Sequence, residues 1–217
     1  MKLLMKHLHL LLALNVLLLL PAMAQDTGRW SLTAYGNYSQ PFGSLSDWFK
    51  ATANFGLGIG QQINEDWNLQ GLIEYTHFDE ENLSGYAKDH VELSLEHVGL
   101  MVNGKYQLKK MFGIQPYFNL GGGLFYWKGF RGEIEANPNL DPSLPYIEKR
   151  ILEEWNWGFR TGLGVEYFVL SNLALDVGAY YRMIIGDLWP TLQPHIELES
   201  VSGFQTVNLA VSIQYYF

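Results

Sequence analysis

The sequence contains no cysteine. That excludes disulfide staples and thiolate metal sites, so the 217-residue chain must draw its stability from a fold of sufficient size. Basic residues are scarce: 14 Lys and Arg stand against 22 Asp and Glu, a net charge of −8. Nucleic acid demands clustered cations against its phosphates, so this balance argues against such a partner. Charged residues make up 17% of the chain, below the quarter or so usual in soluble domains. Beyond residue 24 no apolar run approaches the ~20 residues of a membrane-spanning helix. A chain that crosses a bilayer without helices must close into a barrel, because only closure pairs every backbone group in lipid.

What is present begins with a leader. Lys2 and Lys6 precede a leucine-dominated run, Leu8 to Leu20, and Pro21-Ala22-Met23-Ala24 supplies a small-x-small cleavage pattern. The run nears the length of a membrane anchor, but that pattern and the helix-breaking Pro21 favour a signal peptide over residues 1–24. The expected mature domain is 25–217. Without Lys2 and Lys6 it carries 12 basic against 22 acidic residues, a charge of −10. Aromatics reach 15% and glycines number 22.

The mature sequence reads as eight alternating segments. Trp30, Leu32, Ala34 and Tyr38 oppose Ser31, Thr33, Tyr35 and Asn37 in the first. Phe55, Leu57 and Ile59 oppose Gly56, Gly58 and Gly60 in the second, and Trp67, Leu69, Ile73 and Tyr75 oppose Asn68, Gln70, Glu74 and Thr76 in the third. The fourth ends in Val98 to Leu108. Its first half breaks parity at Val91, Leu93 and Leu95, which predicts a bulge or an extension beyond the membrane. The fifth sets Phe118, Leu120, Leu124 and Tyr126 against Asn119, Gly121 and Gly123, and the sixth runs from Trp155 to Tyr167. The seventh spans Leu173 to Met183, and the eighth spans Thr206 to Phe217. Period-2 alternation of this kind is weak per segment and cumulative over a barrel.

Connections near 64–66, 109–112 and 169–172 are short, whereas those near 39–52, 78–90, 128–152 and 185–200 are long and polar. Short turns on one rim and long loops on the other fit the periplasmic and extracellular ends of a membrane barrel. The polar face decides which side meets lipid. It is rich in Gly, Asn, Ser and Thr, poor choices for a water-exposed sheet but suited to the narrow interior of eight strands. Aromatic rings near the segment ends belong at a membrane–water boundary. The predicted fold class is therefore all-β, a closed antiparallel up-and-down transmembrane β-barrel.

The ending Val-Ser-Ile-Gln-Tyr-Tyr-Phe, with the leader and the eight segments, resembles the small outer-membrane barrels of the OmpA and OmpX kind. The resemblance covers Gln25 to Phe217 and is one of pattern. It implies the outer membrane of a Gram-negative bacterium, contact with lipid and lipopolysaccharide, and assembly by the barrel-assembly machinery. The assembly signal would fall on Leu209, Val211, Ile213, Tyr215 and Phe217. The implied roles are structural, adhesive or loop-mediated, with an unidentified extracellular or envelope partner. Narrow porin-like channels and a few lipid-modifying enzymes also occur among such barrels.

Six charges fall on the expected lumen face. Lys105, Glu166 and Asp176 lie about four to five residues above the short turns, and Glu74, Arg160 and Arg182 about eight to eleven. Each layer holds both signs, as buried charges require, so ion pairs are expected to plug the lumen; a gated ion path through the same residues is the sharper alternative. Phe42, Leu45, Trp48 and Phe49 in the first long loop are candidates for contact with a partner, as is the loop 128–152.

Other chemistry finds little support. His77, His90, His97 and His195 form no HxH or HxxxH pair, and no H-x-S supplies the base and nucleophile of a deacylase. Neither a metal, a cofactor nor an enzymatic activity is expected. Gly28-Arg29-Trp30 matches the opening of a lipocalin, a soluble-carrier alternative, but no second motif accompanies it. The glycine runs lack the Lys-Ser/Thr and following helix of a phosphate loop.

Overall fold

A computed structural model describes residues 28–82, 92–133, 136, 139, 146, 148–188 and 201–217. The expected signal peptide, Val91, His90 and His195 lie outside them. The described residues form eight strands: β1 (Trp30–Phe42), β2 (Thr52–Gln62), β3 (Trp67–Phe78), β4 (Leu93–Gln107), β5 (Ile114–Arg131), β6 (Arg150–Leu170), β7 (Leu173–Leu188) and β8 (Val201–Tyr216). Each pairs antiparallel with its neighbours in sequence, and β1 pairs with β8 to close the barrel. At the seam Trp30 and Phe217 exchange backbone hydrogen bonds of 2.9 and 2.8 Å.

Local chemistry makes the short turns. Asn64 Oδ1 accepts from the backbone N–H groups of Asp66 and Trp67 at 3.0 and 2.9 Å, a side-chain turn that reverses the chain between β2 and β3. Between β4 and β5, Phe112 and Gly113 both have positive φ, 51° and 82°, while Met111 and Ile114 exchange hydrogen bonds of 2.9 Å. Two such central residues give the primed turn whose twist matches a hairpin. The longest connection, between β5 and β6, is shorter than the sequence pattern predicts. β5 and β6 stay paired as far as Arg131 and Arg150, so residues 128–131 and 150–152 are strand rather than loop.

The outer wall is apolar. Leu163, Leu209 and Val211 are among its most exposed aliphatic residues, at 66%, 60% and 60%. Two aromatic tiers edge it: Trp67 against Tyr106 with Tyr167 and Tyr215 on the short-turn side, and Phe55 against Tyr75 with Tyr126 against Trp155 towards the long loops. Exposure of this kind costs nothing in hydrocarbon, and rings at both edges suit the interfaces.

Two corrections concern the inside. No bulge interrupts β4, whose pairings with β3 and β5 run without a shift. Leu93 and Leu95 break the alternation because they point inward, into an apolar upper lumen that polar–apolar patterning does not anticipate. That upper lumen also holds Phe78, Phe125, Trp127, Ile184 and Phe204, all buried. Phe125 fits because Gly99 and Gly158 flank it: a Cβ on either would lie 2.5 or 2.6 Å from its ring. The interior is thus polar in its lower and middle parts and mainly apolar near the long loops, where Thr76, His97 and Arg131 are buried among the hydrocarbon side chains.

Candidate functional site in the lumen and at the rim

All six lumen charges are buried. On β6 and β7 they are set as like-charge neighbours: Glu166 faces Asp176, and Arg160 faces Arg182. Directly opposed like charges destabilise a sheet, so the counter-charges must come from elsewhere. They come across the barrel from β3 and β4.

In the lower layer Lys105 of β4 donates to Asp176 at 2.6 Å and lies 3.6 Å from Glu166. Tyr117 adds a hydrogen bond to Asp176 at 2.7 Å, and Tyr216 donates to Glu166. Lys105 also lies 4.2 Å above the Tyr117 ring. One ammonium and two phenols therefore hold two carboxylates. Gln214, within 3.5 Å of Lys105, passes the network to Ser31 at 3.0 Å and so to β1.

In the upper layer Glu74 of β3 accepts from Arg182 and, at 3.3 Å, from Tyr35. Arg160 has no carboxylate partner among the described residues. Its guanidinium lies 4.1 Å from the centre of the Tyr180 ring, a cation–π contact that offsets part of its burial. Above, Asn37 donates to Asn54 at 2.8 Å and Asn54 to Ser39 at 2.5 Å, and Ser39 reaches Asn208, tying β1, β2 and β8 together.

Of the six charges singled out in the sequence, Lys105, Glu166 and Asp176 come together in one layer and Glu74 and Arg182 in the other, while Arg160 joins no ion pair among the described residues. Sequence reasoning missed the tyrosines. The signal was there: Tyr35, Tyr117, Tyr180 and Tyr216 all fall on the polar parity, where a large amphipathic ring needs a polar partner for its hydroxyl.

The first long loop departs most from expectation. Of Phe42, Leu45, Trp48 and Phe49, only Phe42 is exposed, at 55%; Leu45, Trp48 and Phe49 are 0%, 2% and 1% exposed. They offer no outer contact surface. A 3₁₀ turn at Gly43–Asp47 folds the loop back over the mouth, and its three apolar side chains join the upper-lumen cluster. The second loop pins it there. Asn82 N–H donates to Trp48 O and Lys50 N–H to Glu80 O, each at 2.9 Å, while Asn82 Nδ2 reaches Ser46 O at 2.6 Å. Hydrophobic burial wins because Leu45, Trp48 and Phe49 join Phe78, Leu95 and Phe204 in one apolar cluster.

His97 is buried in the lumen with its ring edge-on to Phe125, centroids 5.8 Å apart, and His77 lies 3.8 Å from Asp79. No three His, Asp or Glu side chains converge as a metal site among the described residues.

The comparisons with known proteins agree with the architecture. The sequence matches the outer membrane protein beta-barrel domain family over residues 10–217. Among solved structures, Neisserial surface protein A is 14% identical with a TM-score of 0.53, covering 88% of this chain and 100% of its own. A major outer membrane protein from Thermus thermophilus is 11% identical with a TM-score of 0.56, again covering 88% of this chain and 100% of its own. At such identities these likenesses concern the fold alone. No curated protein matches the sequence. The barrel's place is the Gram-negative outer membrane, against its lipid and lipopolysaccharide. With eight strands closed in sequence order, an apolar outer wall and a family match over nearly its whole length, the chain belongs to the outer membrane β-barrel domain family.

Proposed function

We propose that this protein is a non-conducting, non-enzymatic outer-membrane barrel that anchors a loop surface for structural, adhesive or partner-binding work outside the cell. The observation that carries the reading is the stack of seals inside the wall. Leu45, Trp48 and Phe49 close an apolar upper lumen, and two buried ion-pair layers lie below it. An ion crossing from one rim to the other would shed water against hydrocarbon and then break paired charges, each step costing several kcal/mol. With Leu45, Trp48 and Phe49 turned inward, the contact surface shifts to Phe42 and the arm formed by β5 and β6.

A narrow pore is the competing reading, favoured by the polar residues of the lower lumen. Refolded protein in a planar bilayer separates the two. Silence is expected; regular conductance steps would sink the sealed-barrel reading.

Assembly by the barrel-assembly machinery belongs to the same proposal. Leu209, Val211, Ile213, Tyr215 and Phe217 all face outward on the final strand, 47% to 61% exposed, where a receptor can read them before insertion. Phe217→Ser should lower the yield of heat-modifiable protein in cells while leaving in-vitro refolding largely intact. Equal losses in both settings would contradict a role in recognition.

A further inference from the structure

Above Gly158 and Ile184 the barrel wall parts. β6 and β7 pair from that rung down to their short turn, whereas higher up β6 keeps its pairing with β5, and β7 keeps its pairing with β8. The cause lies on β7. Ile185 and Gly186 together face one residue of β8, Gly203, whose φ of 80° suits glycine. Two residues against one is a β-bulge, which bends its strand and sharpens the local twist. β7 leaves β6 at that point.

The parting encloses a cavity of about 550 Å³, within the range of roughly 300–1,000 Å³ seen for small-molecule sites. Its inner wall is Trp127, which is buried and donates from its indole N–H to Asn156. Leu152 and Met183 line the flanks, and Ile185, 57% exposed, forms the outer lip on the side that faces lipid. Trp155 and Trp157 of β6 face outward at the same height, both exposed, so the cleft opens at the upper interface of the membrane. Two carboxylates stand at this opening. Glu154 lies opposite Trp127 across the β5–β6 pair, with no cation bound to it among the described residues. Glu153 accepts a hydrogen bond of 2.6 Å from Tyr126, and Lys128, opposite it on β5, lies 3.8 Å from Glu96.

We propose that this lateral cleft binds a single-chain cationic amphiphile, an alkylammonium, drawn from the outer leaflet. Its hydrocarbon chain lies along Leu152, Met183 and Ile185, and its head rests against Glu154 and Glu153. The lipid-facing lip and apolar flanks call for a hydrocarbon tail. The two carboxylates select the sign of the head, since an anionic head would be repelled at the same spot. The site lies on the outer side of the upper-lumen cluster, with which it shares Trp127 and Leu152.

The test uses the full chain refolded into zwitterionic nanodiscs, with dodecyltrimethylammonium carrying a photoreactive diazirine in its tail. Photolysis and peptide mass spectrometry should place the label on residues 152–156 and 183–186. A dodecyl sulfate probe with the same tail should label them about tenfold less, and Glu153→Gln with Glu154→Gln should weaken the cationic label about fivefold. Leu152→Trp, which fills the cavity, should abolish it. Should that variant lose its heat shift, Ile185→Trp fills the cleft from the exposed lip. Labelling spread evenly round the belt, equal labelling by the sulfate probe, or labelling that survives both filling variants would each overturn the proposal.

Discussion

Arg160 and Arg182 stand directly opposite each other on neighbouring strands, both buried and both pointing into the lumen. Only Arg182 reaches a carboxylate, Glu74, from the far wall. Glu74→Gln would therefore leave two buried guanidinium groups with no counter-charge, at a cost of about 3–5 kcal/mol. Urea unfolding in lipid vesicles measures it. A loss below about 1 kcal/mol would mean that the pair is hydrated rather than sealed.

Arg160→Met gives the opposite expectation. It removes a like charge beside Arg182 and keeps an apolar body against Tyr180, so stability should hold or rise. In the Glu74→Gln background it should recover part of the loss, about 1–2 kcal/mol of coupling between neighbours. Strict additivity in the same unfolding experiment would refute this account of the upper layer.

Lys105 is the one cation bonded to the Glu166–Asp176 pair among the described residues. Lys105→Met should cost at least as much as Glu74→Gln, about 3–5 kcal/mol, because two carboxylates then face each other in the lumen. The heat-shift midpoint on SDS gels reports it. Tyr117→Phe, which removes one of several donors to the same pair, should cost about 1–2 kcal/mol.

Two adjacent glycines on β5 provide a steric control. A Cβ on Gly123 would lie 2.0 Å from Leu100 O and 2.7 Å from Met101 Cα, backbone atoms that cannot step aside. On Gly122, facing lipid, the nearest atom would be Gly158 O at 3.5 Å, an ordinary contact. Gly123→Val should abolish heat-modifiable protein in outer membranes, while Gly122→Val should leave it near wild type. Equal behaviour of the two would contradict the assigned faces.

The strands, their order and their lipid-facing sides were legible because barrel strands advertise a period of two, and Gly56, Gly58 and Gly60 have no use on a wetted sheet. The inward parity also put Glu74 near Arg182 and Lys105 near Asp176, but gave no sign that Arg160 would lie against Tyr180 with no carboxylate among the described residues. The upper lumen was not legible. Leu93 and Leu95 obey the inward parity yet are apolar, and no local rule separates an inward leucine from a slipped register. Leu45, Trp48 and Phe49 read as exposed because they lie in a loop; their burial depends on Phe78, Phe125 and Phe204, which are far away in sequence. The parted wall above Gly158 depends on Gly203, a residue that in sequence alone is one glycine among 22.

The pairing of β5 with β6 continues from the tryptophan tier at Trp155 to the rung between Arg131 and Arg150. Five further residues at about 3.3 Å each lift that hairpin some 16 Å along its own direction. It carries the chain beyond that tier, to the rim that an approaching macromolecule or protease would meet. A cut between 131 and 150 would leave both strands of the arm paired and anchored, so the barrel would stay in the bilayer nicked and still heat-shifted.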